Sequence, residues 1–316
     1  MAIPLKTIPQ KQTASIPADD KPLPHEIGTN TLLFGEVGSG KTSALPTFIA
    51  AGLKHDVELK LAVVLTEPGG VESLLDAMEL HAPPGERSLP MDRLHYSSIA
   101  PASTDWRALI DMGKKINMMG YKDLAELKSG LAKEKHKQYL DLLSLLANFK
   151  NQHGESIGAA DKLDNTWLVA VDSITGVSQM ARQLAIGLKP SPHQGEWNVM
   201  MSAEEALINQ LVNSTNCFTC ITGHIDREMD EVLGKPQYTV ALLGRKLAPR
   251  VPRMFSDVIL QVRDMDKFAW STIRRDYSSL KARNVRLADN LPPTFEQIYK
   301  HWLQRKEKAE AAIAVS

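Results

Sequence analysis

The residues with the clearest chemical potential are Gly35-Glu36-Val37-Gly38-Ser39-Gly40-Lys41-Thr42, with Ser43 following. The run fits G-x-x-x-x-G-K-[ST] and carries a third glycine, Gly38, inside it. Glycines let successive backbone N–H groups converge on a phosphate without side-chain clash. A helix starting here aims its positive end at the same point. Lys41 can reach β- and γ-phosphates, and the Thr42 hydroxyl suits Mg²⁺. The cofactors implied are a nucleoside triphosphate and Mg²⁺.

Three further residues could join that chemistry. The apolar run Trp167-Leu-Val-Ala-Val ends in Asp172, then Ser173, about 130 residues after the glycine loop. An acid ending a buried strand can hold Mg²⁺; an Asp that merely caps the next helix is the plainer alternative. Glu67 follows a second apolar run, Lys60 to Thr66. A carboxylate there could orient an attacking water, or be a solvated loop residue. His224 ends a third run, Asn216 to Gly223. It could sense the γ-phosphate, or be structural.

What brings these residues together is a parallel sheet. Near-continuous apolar runs read as strands buried on both faces. Ligands of open α/β sheets lie at the carboxyl ends of the strands, where the glycine loop, Glu67, Asp172 and His224 all emerge. The glycine loop follows the run 31–34 and leads into a helix over 42–51. A short strand is expected at 94–99 and a largely helical insert over about 105–151. Helices are expected at 174–186 and 199–214. Residues 257–263, 268–273 and 279–283 alternate as a C-terminal antiparallel β-meander. The expected organisation is an arm or tail over 1–28, a nucleotide-binding α/β core over 29–300, and a helix or tail over 301–316. The fold class is α/β, a mostly parallel central sheet flanked by helices.

Composition sets outer limits. The chain has 316 residues, 43% hydrophobic and 23% charged, with zero net charge. That suits one large α/β domain and gives no global polyanion signature. No apolar run reaches the roughly 20 residues needed to span a bilayer, so the expected setting is the cytoplasm. Cys217 and Cys220 lie within one apolar run and have no second pair to complete a zinc site, so they read as buried thiols.

Positive charge is concentrated locally. Residues 226–243 read as a long mobile loop, of a kind that tends to be functional. It leads into Gly244-Arg245-Lys246-Leu-Ala-Pro-Arg250-Val-Pro-Arg253, with four cations. Such a patch can contact a phosphate backbone, or be a solvated basic helix start. Lys281 and Arg283 are two apart on an expected strand, so they share a face and could meet one anionic group.

These residues together resemble the RecA-like recombinase core, and most closely the small phage-type ATPases of that superfamily (the Sak4-like recombinases). The likeness covers about residues 28–300. It rests on the Val-Asp172-Ser173 strand end, on Glu67 after the strand that follows the glycine-loop helix, and on His224 where the family often has a glutamine. The loops 187–198 and 226–246 resemble the two DNA-binding loops. Lys281 and Arg283 fall where bacterial recombinases place a lysine pair that reaches the neighbouring subunit's ATP. The resemblance implies a RecA-like ATPase working as a homo-oligomeric ring or filament, with ATP at the subunit interface. It implies single-stranded DNA as partner, a single-strand-binding protein as a further one, a role in recombination or annealing, and a phage protein in the host cytoplasm. A RecA-fold motor or regulator, helicase-like or packaging-related, is the alternative. The chain departs from the family in its larger helical insert and in having no aromatic after Glu67 to stack on adenine.

Overall fold

The structure is a computed structural model that describes residues 25–103, 106–118, 136–187, 192–230, 234–244, 246–274 and 279–315. Its centre is a seven-stranded sheet in the order β11-β10-β1-β7-β6-β2-β3. Here β1 is Asn30–Gly35, β2 Lys60–Leu65, β3 Leu94–Ser98, β6 Trp167–Asp172, β7 Phe218–Gly223, β10 Asp257–Asp264 and β11 Lys267–Ser271. Every pairing is parallel except β10 with β11. One strand, β7, lies between the glycine-loop strand and the strand that ends in Asp172. The carboxyl ends of β1, β2, β6 and β7 therefore share one rim.

The strands are apolar on both faces because both faces are covered. On one side Leu32, Phe34, Val64, Val169 and Val171 pack with helices α5 (Gln138–Ala147), α6 (Ile174–Ile186) and α7 (Gln194–Asn213). On the other, Leu33, Leu61, Val63, Leu168 and Ala170 pack with α2 (Thr47–Lys54), α3 (Gly70–Leu80) and α8 (Glu296–Val315). Each fully buried Val or Leu contributes roughly 1.5–3 kcal/mol. Helix α8 is fixed by aromatic contacts: Trp302 lies 5.2 Å from Phe218, edge-on, and its Nε1 donates to Ile27 O at 2.9 Å. Residues 301–315 thus continue a helix that begins at Glu296.

Several local expectations are corrected. The helix after the glycine loop is two pieces, α1 (Lys41–Ala44) and α2, because Pro46 has no N–H to donate and takes the N-cap of the second. Helix α7 starts at Gln194, five residues early, because His193 and Glu196 form a reciprocal cap. Trp197 is therefore helical and not in a loop. Within 226–243, β8 (Ile225–Asp230) and β9 (Lys235–Val240) form an antiparallel ribbon where a loop was expected, with Gly234 at φ 61° between them and 231–233 outside the described residues. The third strand of the meander is a single bridge, Lys281 to Val258. Of the insert, helix α4 (Trp106–Met118) and α5 are described; 119–135 lie outside the described residues, as do 1–24 of the expected arm. The end of the expected helical insert is not helical: β4 (Phe149–Lys150) pairs with β5 (Ser156–Gly158) in a two-stranded ribbon before β6.

Candidate nucleotide site

The glycine loop leaves β1 at Gly35 and returns as α1. Gly38 and Gly40 have φ 73° and 88°, a region L side chains rarely adopt. At Gly40 a Cβ would also meet the Phe268 ring at 3.0 Å. Lys41 is nearly buried. Its Nζ donates to Gly35 O at 3.0 Å and Glu36 O at 2.7 Å, and reaches Ser39 Oγ at 3.5 Å. Burial holds the Lys41 pKa below its ordinary value, while Asp172, Glu67 and Glu36 pull it back up.

The loop faces a cavity of about 230 Å³ lined by Val37, Lys41, Thr42, Glu67, Asp172, His224 and Phe268, among others. Four sheet strands (β2, β6, β7 and β11) and the glycine loop thus bring their residues to one place. Thr42 Oγ1 donates to Asp172 Oδ2 at 2.6 Å, and Thr222 Oγ1 donates to Asp172 Oδ1. Asp172 is 7% exposed, and burial pushes its pKa up. It accepts from two hydroxyls and forms no ion pair among the described residues. A buried carboxylate and a threonine hydroxyl in contact are hard oxygen donors that fit Mg²⁺, which takes few protein ligands and fills its octahedron with water and phosphate. No group of three or more His, Cys, Asp or Glu placed to hold a metal occurs among the described residues. A metal here would accordingly depend on phosphate and water.

Glu67 stands across the cavity. His224 Nε2 lies 2.8 Å and 3.0 Å from its two oxygens, and Ser173 Oγ donates to the same carboxylate. An ionised carboxylate only accepts, so Nε2 carries the proton. The His224 hydrogen bond is the main cause holding the Glu67 pKa below its ordinary value, so Glu67 is ionised at neutral pH. His224 also roots the β8–β9 ribbon: its N–H reaches Thr175 Oγ1 at 3.4 Å, and its carbonyl accepts from Ala241 N at 2.8 Å.

The other sequence candidates lie elsewhere. Gly35, Glu36 and Ser39 belong to the loop but do not line this cavity; Val37, Gly38, Gly40 and Ser43 do. Lys281 sits near the first residues of β10, the end remote from the glycine loop, with Nζ donating to Phe255 O at 2.6 Å. Arg283 is exposed beside it. Neither lines the chain's own cavity. Lys246 and Arg253 are exposed, Arg250 pairs with Glu205 at 2.8 Å, and Arg245 lies outside the described residues. Cys217 and Cys220 are buried, and burial raises both thiols, Cys217 to about 12.

Sequence reasoning missed two residues. Phe268 brings an aromatic ring to the cavity wall, with Arg263 5.8 Å from the ring centre. Only the β10–β11 pairing places it there. Thr222, one residue before the end of β7, is the second hydroxyl on Asp172.

No protein-family model matches this chain, and no curated protein matches it. Among solved structures it is similar to an ATPase from the type III secretion system of pathogenic bacteria, at 15% identity and a TM-score of 0.36, covering 75% of this chain and 53% of that one. It is also similar to the RadB recombinase, at 17% identity and a TM-score of 0.37, covering 79% and 84% of the two chains. The chain spans about half the length of the secretion ATPase. The fold stands on its own strand order: a mostly parallel sheet between helical layers, with one strand separating the glycine loop from the acid-ended strand.

Proposed function

We propose that this chain is an Mg²⁺-dependent ATP hydrolase of RecA-like type that binds single-stranded DNA as a homo-oligomer and supports recombination or strand annealing, as phage-type recombinases do. The contact between Thr42 and Asp172, 2.6 Å long beneath the glycine loop, carries the hydrolase reading. A hydroxyl and an acid 130 residues apart meet where the triphosphate end would lie.

The chain's own residues divide the work. Backbone N–H groups of 38–42 and Lys41 hold the phosphates; Lys41 gives up its carbonyl contacts to do so. Thr42 and Asp172 would hold the metal, which when bound would neutralise charge on the phosphates. Glu67, ionised, orients a water toward the γ-phosphate. Ser173 and His224 fix the direction of its carboxylate. Phe268 offers its ring to the base. Lys281 and Arg283 are remote from their own cavity, so any contact with nucleotide is made in a neighbour's.

Rooting of the β8–β9 ribbon at His224 supports the DNA-coupled reading, since a ligand on the ribbon would act on the residue that holds Glu67. The test is turnover of Glu67→Gln. It should lose about 10²–10⁴-fold in ATP hydrolysis with ATP binding retained; unchanged turnover would remove Glu67 from the role. Single-stranded DNA should raise wild-type turnover, with binding that weakens steeply with salt. A flat response favours the motor or regulator reading instead.

A further inference from the structure

On the face away from the nucleotide site, an apolar groove of about 420 Å³ runs between α5 and α7. Leu143, Leu146, Leu207 and Leu211 form its walls, and Ala203 and Ala206 leave notches between them. Asp161 is its one charged lining residue among those described. The groove is open among the described residues, and a soluble α/β domain has little reason to leave such a channel bare.

The path of the chain points to an occupant. Residues 25–28 are tied down at the groove's rim: Asn165 Nδ2 donates to Glu26 O at 2.7 Å, and Gly28 N donates to Asn216 O at 2.8 Å. Asn216 adjoins Thr215, which lines the groove, and Asn165 follows Asp161 by four residues. The described chain therefore begins beside the opening, and 24 residues precede it. Those residues contain three Ile-Pro pairs, Ile3-Pro4, Ile8-Pro9 and Ile16-Pro17. A residue before proline is biased to extended backbone, so each pair presents an apolar side chain on a stretch unsuited to helix. From Ala203 to Leu211 the groove follows about 12 Å of helix, a distance four extended residues cover. The tether from the rim to Ile16 is nine residues, short enough to make docking within one chain far more probable than docking between chains at micromolar protein.

We propose that residues 1–24 cover this groove on their own chain, with Ile16-Pro17 seated between α5 and α7. The full-length pair Ile16→Cys with Ala206→Cys tests it, since the native Cys217 and Cys220 are buried. Under mild oxidation the pair should close a disulfide within single chains, at a rate independent of protein concentration. In the full chain, Ile16→Asp should speed amide exchange of 203–211 on the order of tenfold, with other helices unchanged. Cross-linked dimers in place of the internal disulfide would assign the groove to a second copy and overturn the proposal. So would failure of Cys at 3, 8 and 16 alike to couple to Ala206→Cys, or unchanged exchange in Ile16→Asp.

Discussion

Asp172 and Glu204 flank the same helix, α6, and burial pushes both carboxyls toward the neutral acid. Their neighbours separate them. Asp172 precedes the helix, opens onto a cavity, and accepts from Thr42 of the glycine loop. Glu204 is fully buried on α7. It accepts from Ser178 Oγ of α6 and from Leu243 N at 3.1 Å, where the β8–β9 ribbon rejoins the core. The same desolvation thus serves two ends. Where a carboxylate meets the glycine loop at a cavity, it is open to the cation proposed for it. Where it is sealed between helices, it ties two elements together. A raised pKa by itself does not mark a site.

The contrast can be broken in order of effect. Loss of turnover in Glu67→Gln is the largest expected change, and Glu204→Gln should leave turnover nearly intact. Comparable losses would erase the distinction. Next is stability against pH. Burial pushes the Glu204 carboxyl up to about 7 from an ordinary 4.5. Its folded pKa is raised, so the stability it lends is full below about 4.5 and is lost as pH rises through 7. The shift corresponds to about 3 kcal/mol. Denaturant unfolding at pH 5 and pH 8 should show wild type losing about that much more stability than Glu204→Gln over the interval. Equal losses would show that Glu204 does not bear the charge in the interior. The smallest effect is Phe268→Ala, which should weaken ATP binding by about 1 kcal/mol with little change in maximal turnover. Unchanged affinity would take the ring off the nucleotide.

What the sequence made legible was local. The glycine loop, the acid ending β6 and helix α6 are each set by a short run, because turn chemistry and strand burial act over a few residues. Thr42 and Asp172 could be paired in advance only because the spacing pattern is known; their contact depends on β7 lying between β1 and β6. Phe268 was not legible, since an antiparallel return of β11 beside β10 decides where it points. Glu204 left a trace: it interrupts an apolar stripe of Met200, Leu207, Ile208 and Leu211 on α7. The β8–β9 ribbon was hidden by its polarity, because a two-stranded ribbon off the sheet needs few apolar residues. The start of α7 was hidden by Gly195 and Trp197, which read as loop until the His193–Glu196 cap is seen.

The meeting of the glycine loop with Asp172 is tested most directly by ATP hydrolysis of Asp172→Asn across a Mg²⁺ titration. The substitution keeps the size of the side chain and its contact with Thr42 while removing the charge. The account predicts that turnover falls by at least about 10²-fold and that saturation needs far more Mg²⁺. Wild-type turnover at wild-type Mg²⁺ would contradict it.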